Sequence, residues 1–263
     1  MDSLISFLRN RVVIILTMLA LLCQVNAKGQ GSYEAGGGKS IRDQPGNNNF
    51  VARLTRYDVK PDHQTAFSKA VSDFVHHSLN QQSNVLSEAY YEQGDHSVLW
   101  IIERWNSKIE LERARKSPFF KAIDSLAKNA LSKPAQKIDV KDLEPISKQQ
   151  WRGVVRKTDA PITIMLFVDA KGGTEHNFKT VYHTAMPQFR SEPGVITYQL
   201  SQLEADSSQF VTYEKFRNED AFQYHLKFPP IQPVIDYLNT SIKKQPFQDG
   251  LHKLIEFAPV IRE

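Results

Sequence analysis

Between residues 50 and 105, short runs of strand-forming residues flank one stretch whose apolar positions recur every third or fourth residue. Phe50–Tyr57 is rich in strand formers and breaks at Lys60-Pro61-Asp62. Phe67, Ala70, Val71 and Phe74 then stand at i, i+3, i+4 and i+7, the stripe of an amphipathic helix. Val85–Tyr91 reads as a second strand, a polar turn follows over 93–96, and Val98–Trp105 reads as a third. Ser107 stands where a helix N-cap belongs, with Ile109, Leu111 and Ala114 beginning the helix and Pro118 interrupting it. Residues 138–140 read as a closing strand.

The same order returns 111 residues later, where residues 51–128 lie over 162–239 without a gap. The second copy supplies strands at 162–168, 195–203 and 209–216. Its helix stripe is Phe178, Val181, Tyr182 and Ala185, its cap Asn218, its helix-breaking proline Pro229, and its closing strand lies at 254–257. Only eight positions are identical, among them Asp58/Asp169, Phe67/Phe178, Glu103/Glu214 and Pro118/Pro229. The shared register of elements carries more weight than those identities.

Two βαββαβ units predict an α+β protein of two tandem ferredoxin-like domains, over 50–145 and 161–260, with a linker at 146–160. In the third strand Leu99 and Ile101 point one way while Trp100 and Ile102 point the other, and all four are apolar. Both faces of the sheet must therefore be covered. The expected solution is that the two domains pack sheet to sheet as one pseudo-dimeric α+β barrel.

Composition adds to this mainly at the N-terminus. Arg9 and Arg11 precede the apolar run 12–23, and Val25-Asn26-Ala27 follows as a small-residue cleavage site. That layout predicts a signal peptide over 1–27, a flexible linker of Gly, Asn, Gln and Ser over 28–49, and an exported protein, periplasmic or secreted. No stable membrane insertion is expected after cleavage, because the apolar run falls short of the roughly 20 residues a spanning helix needs. The single cysteine, Cys23, leaves with the signal peptide, which removes disulfide, thiolate and Cys–metal chemistry from the mature chain. With 33 basic and 29 acidic residues interspersed, there is no basic stripe, and the strands lack the aromatic pattern of RNA-binding sheets; no nucleic-acid partner is expected.

The stretch Tyr213-Glu214-Lys215-Phe216-Arg217-Asn218-Glu219-Asp220-Ala221-Phe222-Gln223-Tyr224-His225-Leu226 resembles the signature of antibiotic biosynthesis monooxygenase (ABM) domains. In that signature an acidic residue and an aromatic end the third strand, then come a polar cap and a helix carrying a His. Glu103-Arg104-Trp105-Asn106-Ser107-Lys108 is similar in the first copy, and Glu192-Pro193-Gly194-Val195 resembles the family's turn before strand two. The resemblance implies oxidation of a small aromatic or quinol-like molecule by molecular oxygen, often without metal, flavin or haem. A deprotonated, electron-rich phenol passes an electron to oxygen directly, so the protein need only hold the ring, exclude water and take a proton. The family's haem-degrading branch carries an Asn on strand one and an iron-ligating His on helix two. Here those positions hold Ala52 and Asp124, or Thr163 and Ile235, so haem is not expected. Flavin and metal are not expected either: His76 and His77 point about 100° apart on a helix, and no HExxH is present.

On this resemblance His225 is the candidate proton acceptor and Glu214 the acid beside it, with Tyr198, Tyr213 and Phe216 as pocket walls. A histidine's ordinary pKa of about 6.5 suits the role. Trp105, Trp100 and Glu103 are the matching substrate-side candidates of the first domain, where Ala114 replaces the histidine. The structural alternatives are a His225 satisfied within helix–sheet packing, a Glu103–Arg53 pair, and aromatics that are plain core. Two functional readings follow, an ABM-type monooxygenase and a non-catalytic small-molecule-binding barrel. Pairing of two chains as a homodimer is compatible with either.

Overall fold

Eight strands hydrogen-bond into one closed ring. The computed structural model describes residues 50–260; the signal peptide and flexible linker expected over 1–27 and 28–49 lie outside them. The first half contributes β1 (Val51–Asp58), β2 (Asn84–Glu92), β3 (Asp95–Trp105) and β4 (Gln136–Asp142). The second contributes β5 (Ile162–Asp169), β6 (Val195–Leu203), β7 (Gln209–Phe216) and β8 (Leu251–Ala258). Around the barrel the order is β1-β3-β2-β8-β5-β7-β6-β4. Each half is thus a four-stranded antiparallel sheet of ferredoxin-like order, and the halves join at two seams, β2 with β8 and β4 with β6. Both sheets lose their free edges within a single chain, which removes the exposed hydrogen-bonding rows that open sheets must protect.

The helices are α1 (Gln64–Leu79), α2 (Lys108–Arg115), α3 (Pro118–Ala130), α4 (Lys148–Trp151), α5 (Glu175–Ser191), α6 (Glu219–His225) and α7 (Gln232–Thr240). Ser107 and Asn218 cap α2 and α6, accepting from the backbone N–H of Glu110 at 3.3 Å and of Ala221 at 2.9 Å. Pro118 does more than interrupt a helix. It occupies the first position of α3, behind Ser117, whose hydroxyl accepts from the Phe120 N–H at 3.2 Å. The segment expected as linker holds α4, closed by a capping box of Ser147 and Gln150.

Alternation along the strands divides the apolar residues into three cores. Leu99, Ile101 and Trp105 face α1, α2 and α3 together with Phe67, Val71 and Phe74. Phe210, Phe216, Tyr198 and Leu200 face α5 and α7. Trp100, Ile102, Tyr90, Tyr213, Met165 and Leu254 fill the barrel. Each fully buried side chain of this size contributes about 1.5–3 kcal/mol relative to exposure. The turn before β6 needs its glycine: a Cβ on Gly194 would lie 2.2 Å from the Cβ of Ala221, so this turn sits directly against the first turn of α6.

Candidate functional site

The cap at Asn218 and the close approach at Gly194 together fix α6 over the outer face of the second sheet. His225, at the end of α6, meets Glu192 there, with Nδ1 and Oε1 2.8 Å apart and both side chains all but fully buried. A carboxylate only accepts hydrogen bonds, so Nδ1 carries the hydrogen and Nε2 is the basic nitrogen. The imidazole lies among Phe189, Phe216 and Tyr198, at centroid distances of 4.9, 5.2 and 5.3 Å. Glu214 faces the same layer, where its Oε1 accepts from the Tyr198 hydroxyl at 2.9 Å and the Thr212 hydroxyl at 2.7 Å. Burial pushes the Glu214 carboxyl up, against the opposing pull of a charged His225 and the two hydroxyls. Glu192 therefore holds the histidine, while Glu214 orients a tyrosine.

The first domain keeps the acid and loses the base. Glu103 is fully buried, ion-paired to Arg115 at very short range and accepting from Trp105 Nε1 at 3.1 Å. Arg115 also donates to the Thr55 hydroxyl at 3.2 Å and lies 4.3 Å above the Phe120 ring. The expected Glu103–Arg53 pair does not form, although the two residues are cross-strand neighbours. Strand β4 brings Asp139 opposite Arg53 on its other side, at 2.5 and 2.9 Å, and α2 places Arg115 over Glu103.

Tyr213 and Trp100, expected as pocket walls beside these residues, lie on the opposite face, inside the barrel. The reason is the two-residue period of strands, which separates Tyr213 from Glu214 and Trp100 from Glu103. Around Tyr213 the interior is polar. Its hydroxyl and that of Tyr90 both donate to Glu88 Oε2 at 2.5 Å, and Lys215 Nζ bridges Glu88 at 2.9 Å and Glu256 at 2.8 Å. Burial would raise the Glu88 carboxyl, but the Lys215 charge and the two tyrosines outweigh it and hold the group below the usual carboxylate range. The same carboxylate, with Lys215 and Glu256, lines a cavity of about 320 Å³ at the β2–β8 seam, walled by Leu86, Arg152 and Val155. At the other seam Arg104 grips Asp142 through two hydrogen bonds of 2.8 and 3.0 Å, and Trp151 lies 3.6 Å from its guanidinium.

The sequence pattern described as antibiotic biosynthesis monooxygenase matches this chain twice, over residues 50–124 and 161–235. The chain belongs to the antibiotic biosynthesis monooxygenase family. Among solved structures, a candidate monooxygenase of Fusobacterium nucleatum superposes with a TM-score of 0.69 at 14% identity, covering 79% of this chain and 92% of that one. A candidate monooxygenase of Lactobacillus acidophilus gives 0.65 at 13% identity, covering 79% and 94%. An anthrone oxidase-like protein gives 0.55 at 8% identity, covering 80% and 92%. An uncharacterized protein of Synechocystis sp. is 28% identical over 102 residues, 39% of this chain and 69% of its own length. At these identities the structural neighbours share the fold.

Within this ABM chain, four of the expected residues gather in one layer of the second domain: His225, Glu214, Tyr198 and Phe216. Trp105 and Glu103 gather in the equivalent layer of the first. Sequence reasoning missed Glu192 as the partner of His225, treating it only as part of a turn. It also missed the interior charges Glu88, Lys215 and Glu256. A signal for them existed, because Arg104 and Lys215 are equivalent under the 111-residue shift and both interrupt inward rows of apolar residues.

Proposed function

We propose that this ABM-family protein is an exported monooxygenase that oxidises a small phenolic or quinol-like molecule with molecular oxygen, without a cofactor. The observation that carries the reading is the His225–Glu192 pair, set among three aromatic rings at the family's histidine position. Glu192 fixes the tautomer, so Nε2 accepts the phenolic proton and Glu192 stabilises the imidazolium that results. The phenolate then gives electrons to oxygen. One oxygen atom enters the substrate and the other leaves as water, with two electrons and two protons drawn from the substrate. Glu214 and Tyr198 form the polar wall facing the reacting ring. An aromatic substrate also suits a chain whose neighbours include an anthrone oxidase-like protein.

A second reading is a binding barrel without turnover. It is favoured by the packing of His225, whose side chain is only 2% exposed. Oxygen uptake by the purified chain 28–263 against hydroquinones and polyphenols, after chelation of metals, separates the two. Uptake that falls at least 100-fold in His225→Ala supports the monooxygenase, in line with the 10²–10⁴-fold typical of a lost general base. Uptake that survives the substitution refutes the role of His225, and no uptake across the panel leaves the binding barrel.

A further inference from the structure

The two halves match closely until the barrel closes, and there they part. From the isolated bridge at Leu131 to the interior position Val140 the first half takes nine residues, and from the matching bridge at Ile242 to Leu254 the second takes twelve. The added length lies before β8, where Phe247–Gly250 forms a 3-10 turn. Gly250 is pressed against β5 so closely that a Cβ there would lie 2.2 Å from the Phe167 carbonyl oxygen. Between this turn and the ends of β5 and β7 a cleft of about 460 Å³ opens, within the range of small-molecule sites.

One histidine lines that cleft, and it is set up as a base. His252 Nδ1 lies 2.9 Å from Glu92 Oε1, which also accepts from Trp100 Nε1 at 3.0 Å. Burial tends to raise the Glu92 carboxyl, but the His252 and Trp100 hydrogen bonds and the nearby Arg56 charge keep it below its usual range. Glu92 is thus an ionised acceptor and Nδ1 the donor, while Nε2 has no hydrogen-bond partner among the described residues. The ring stands edge-on to Trp100 and Phe167, each 5.5 Å away, and its side chain is one-fifth exposed, ten times more than that of His225. The position has no counterpart in the first half: the places of His252, Glu92 and Trp100 are taken by Ile138, Leu203 and Val211. The other charged groups facing the cleft are Asp169 from β5 and Lys244 and Asp249 from the 242–250 segment.

We propose that this cleft is a second small-molecule site, in which His252, oriented by Glu92, accepts the proton of a weakly acidic aromatic hydroxyl held against Phe167 and Phe247. In the step the hydroxyl O–H bond breaks and an Nε2–H bond forms. The electron pair stays on the oxygen, and the imidazolium is balanced by Glu92. The site is separate from the His225 layer and does not depend on oxygen chemistry there.

The test is an anaerobic titration of the chain 28–263 with 4-nitrophenol, whose phenolate is yellow and whose phenol is not, at a pH below the probe's own pKa. Binding to the chain with His252 intact is expected to raise the phenolate fraction severalfold. His252→Gln, which still donates to Glu92, is expected to bind the probe without the colour, and Phe247→Ala to weaken binding severalfold with the colour of the bound probe retained. All three proteins carry His225→Ala as a common background, so no colour arises from the other proposed base and a failed oxygen-uptake assay leaves this result standing. Colour that persists when His252→Gln is added to that background, or no saturable change at millimolar probe in the background itself, overturns the proposal.

Discussion

Replacing Lys215 with methionine removes the cation that bridges Glu88 and Glu256 while keeping the length of the side chain. Lys215 is 3% exposed and bonded to Glu88 and Glu256 at 2.9 and 2.8 Å. Breaking a buried pair by deleting one partner typically costs 3–5 kcal/mol, because the other charge is left buried and uncompensated. Glu256 keeps a side-chain exposure of 15%, and Glu88 keeps the hydroxyls of Tyr90 and Tyr213, so the lower end applies, about 3 kcal/mol. For a chain of this size that is roughly 6–12 °C in Tm. The pH dependence sharpens the test. In the wild type Glu88 is held below its ordinary range, so it contributes stability above that range and loses it as pH falls through its folded value. Without Lys215, burial dominates and the Glu88 pKa rises, so the variant suffers most at high pH and recovers on acidification. Urea unfolding followed by far-UV circular dichroism at pH 7.5 and pH 5 should therefore show a gap to wild type that narrows at the lower pH. Adding Glu88→Gln should restore part of the loss, since the chain itself uses Gln199 at the equivalent position of the other half. A loss below about 1 kcal/mol, or a gap that stays constant with pH, would refute the reasoning.

Two further outcomes are expected. Glu214→Gln keeps an acceptor for Tyr198 and Thr212 but cannot ionise. Because burial raises the Glu214 pKa, the wild type loses stability as pH rises from the ordinary carboxylate range through the folded value, and thermal melts from pH 5 to 8 should show a shallower decline in the variant. If residues 1–27 direct export, N-terminal sequencing of the protein recovered from its own host should begin at Lys28, and a chain that still begins at Met1 would exclude cleavage there.

Much of the fold was legible because strands and helices leave different periods in the chain, and because one period was written twice. Phe67, Val71 and Phe74 announced α1, and Ser107 and Asn218 marked two helix starts that the structure places where expected. The barrel's closure was harder to read: β8 pairs with β2 across more than 150 residues, and nothing local encodes a seam of that span. Site residues fared unevenly for a similar reason. His225 and Glu214 stood in a short signature, whereas Glu192, Glu92 and His252 are ordinary residues in sequence and find their partners only when separate elements meet in the fold. Reading Tyr213 and Trp100 as neighbours of Glu214 and Glu103 ignored the alternation that had already assigned the faces of β3.

The closure of both seams within one polypeptide also bears on what a single substitution can change. Were two identical chains to make such a barrel, every codon would be used twice, and any change at one end would appear at the other. Here each end is written separately, so Arg104 can stand opposite Lys215, Ala114 opposite His225 and Ile138 opposite His252. The fused arrangement lets one end retain packing and stability while the other is free to acquire a ligand.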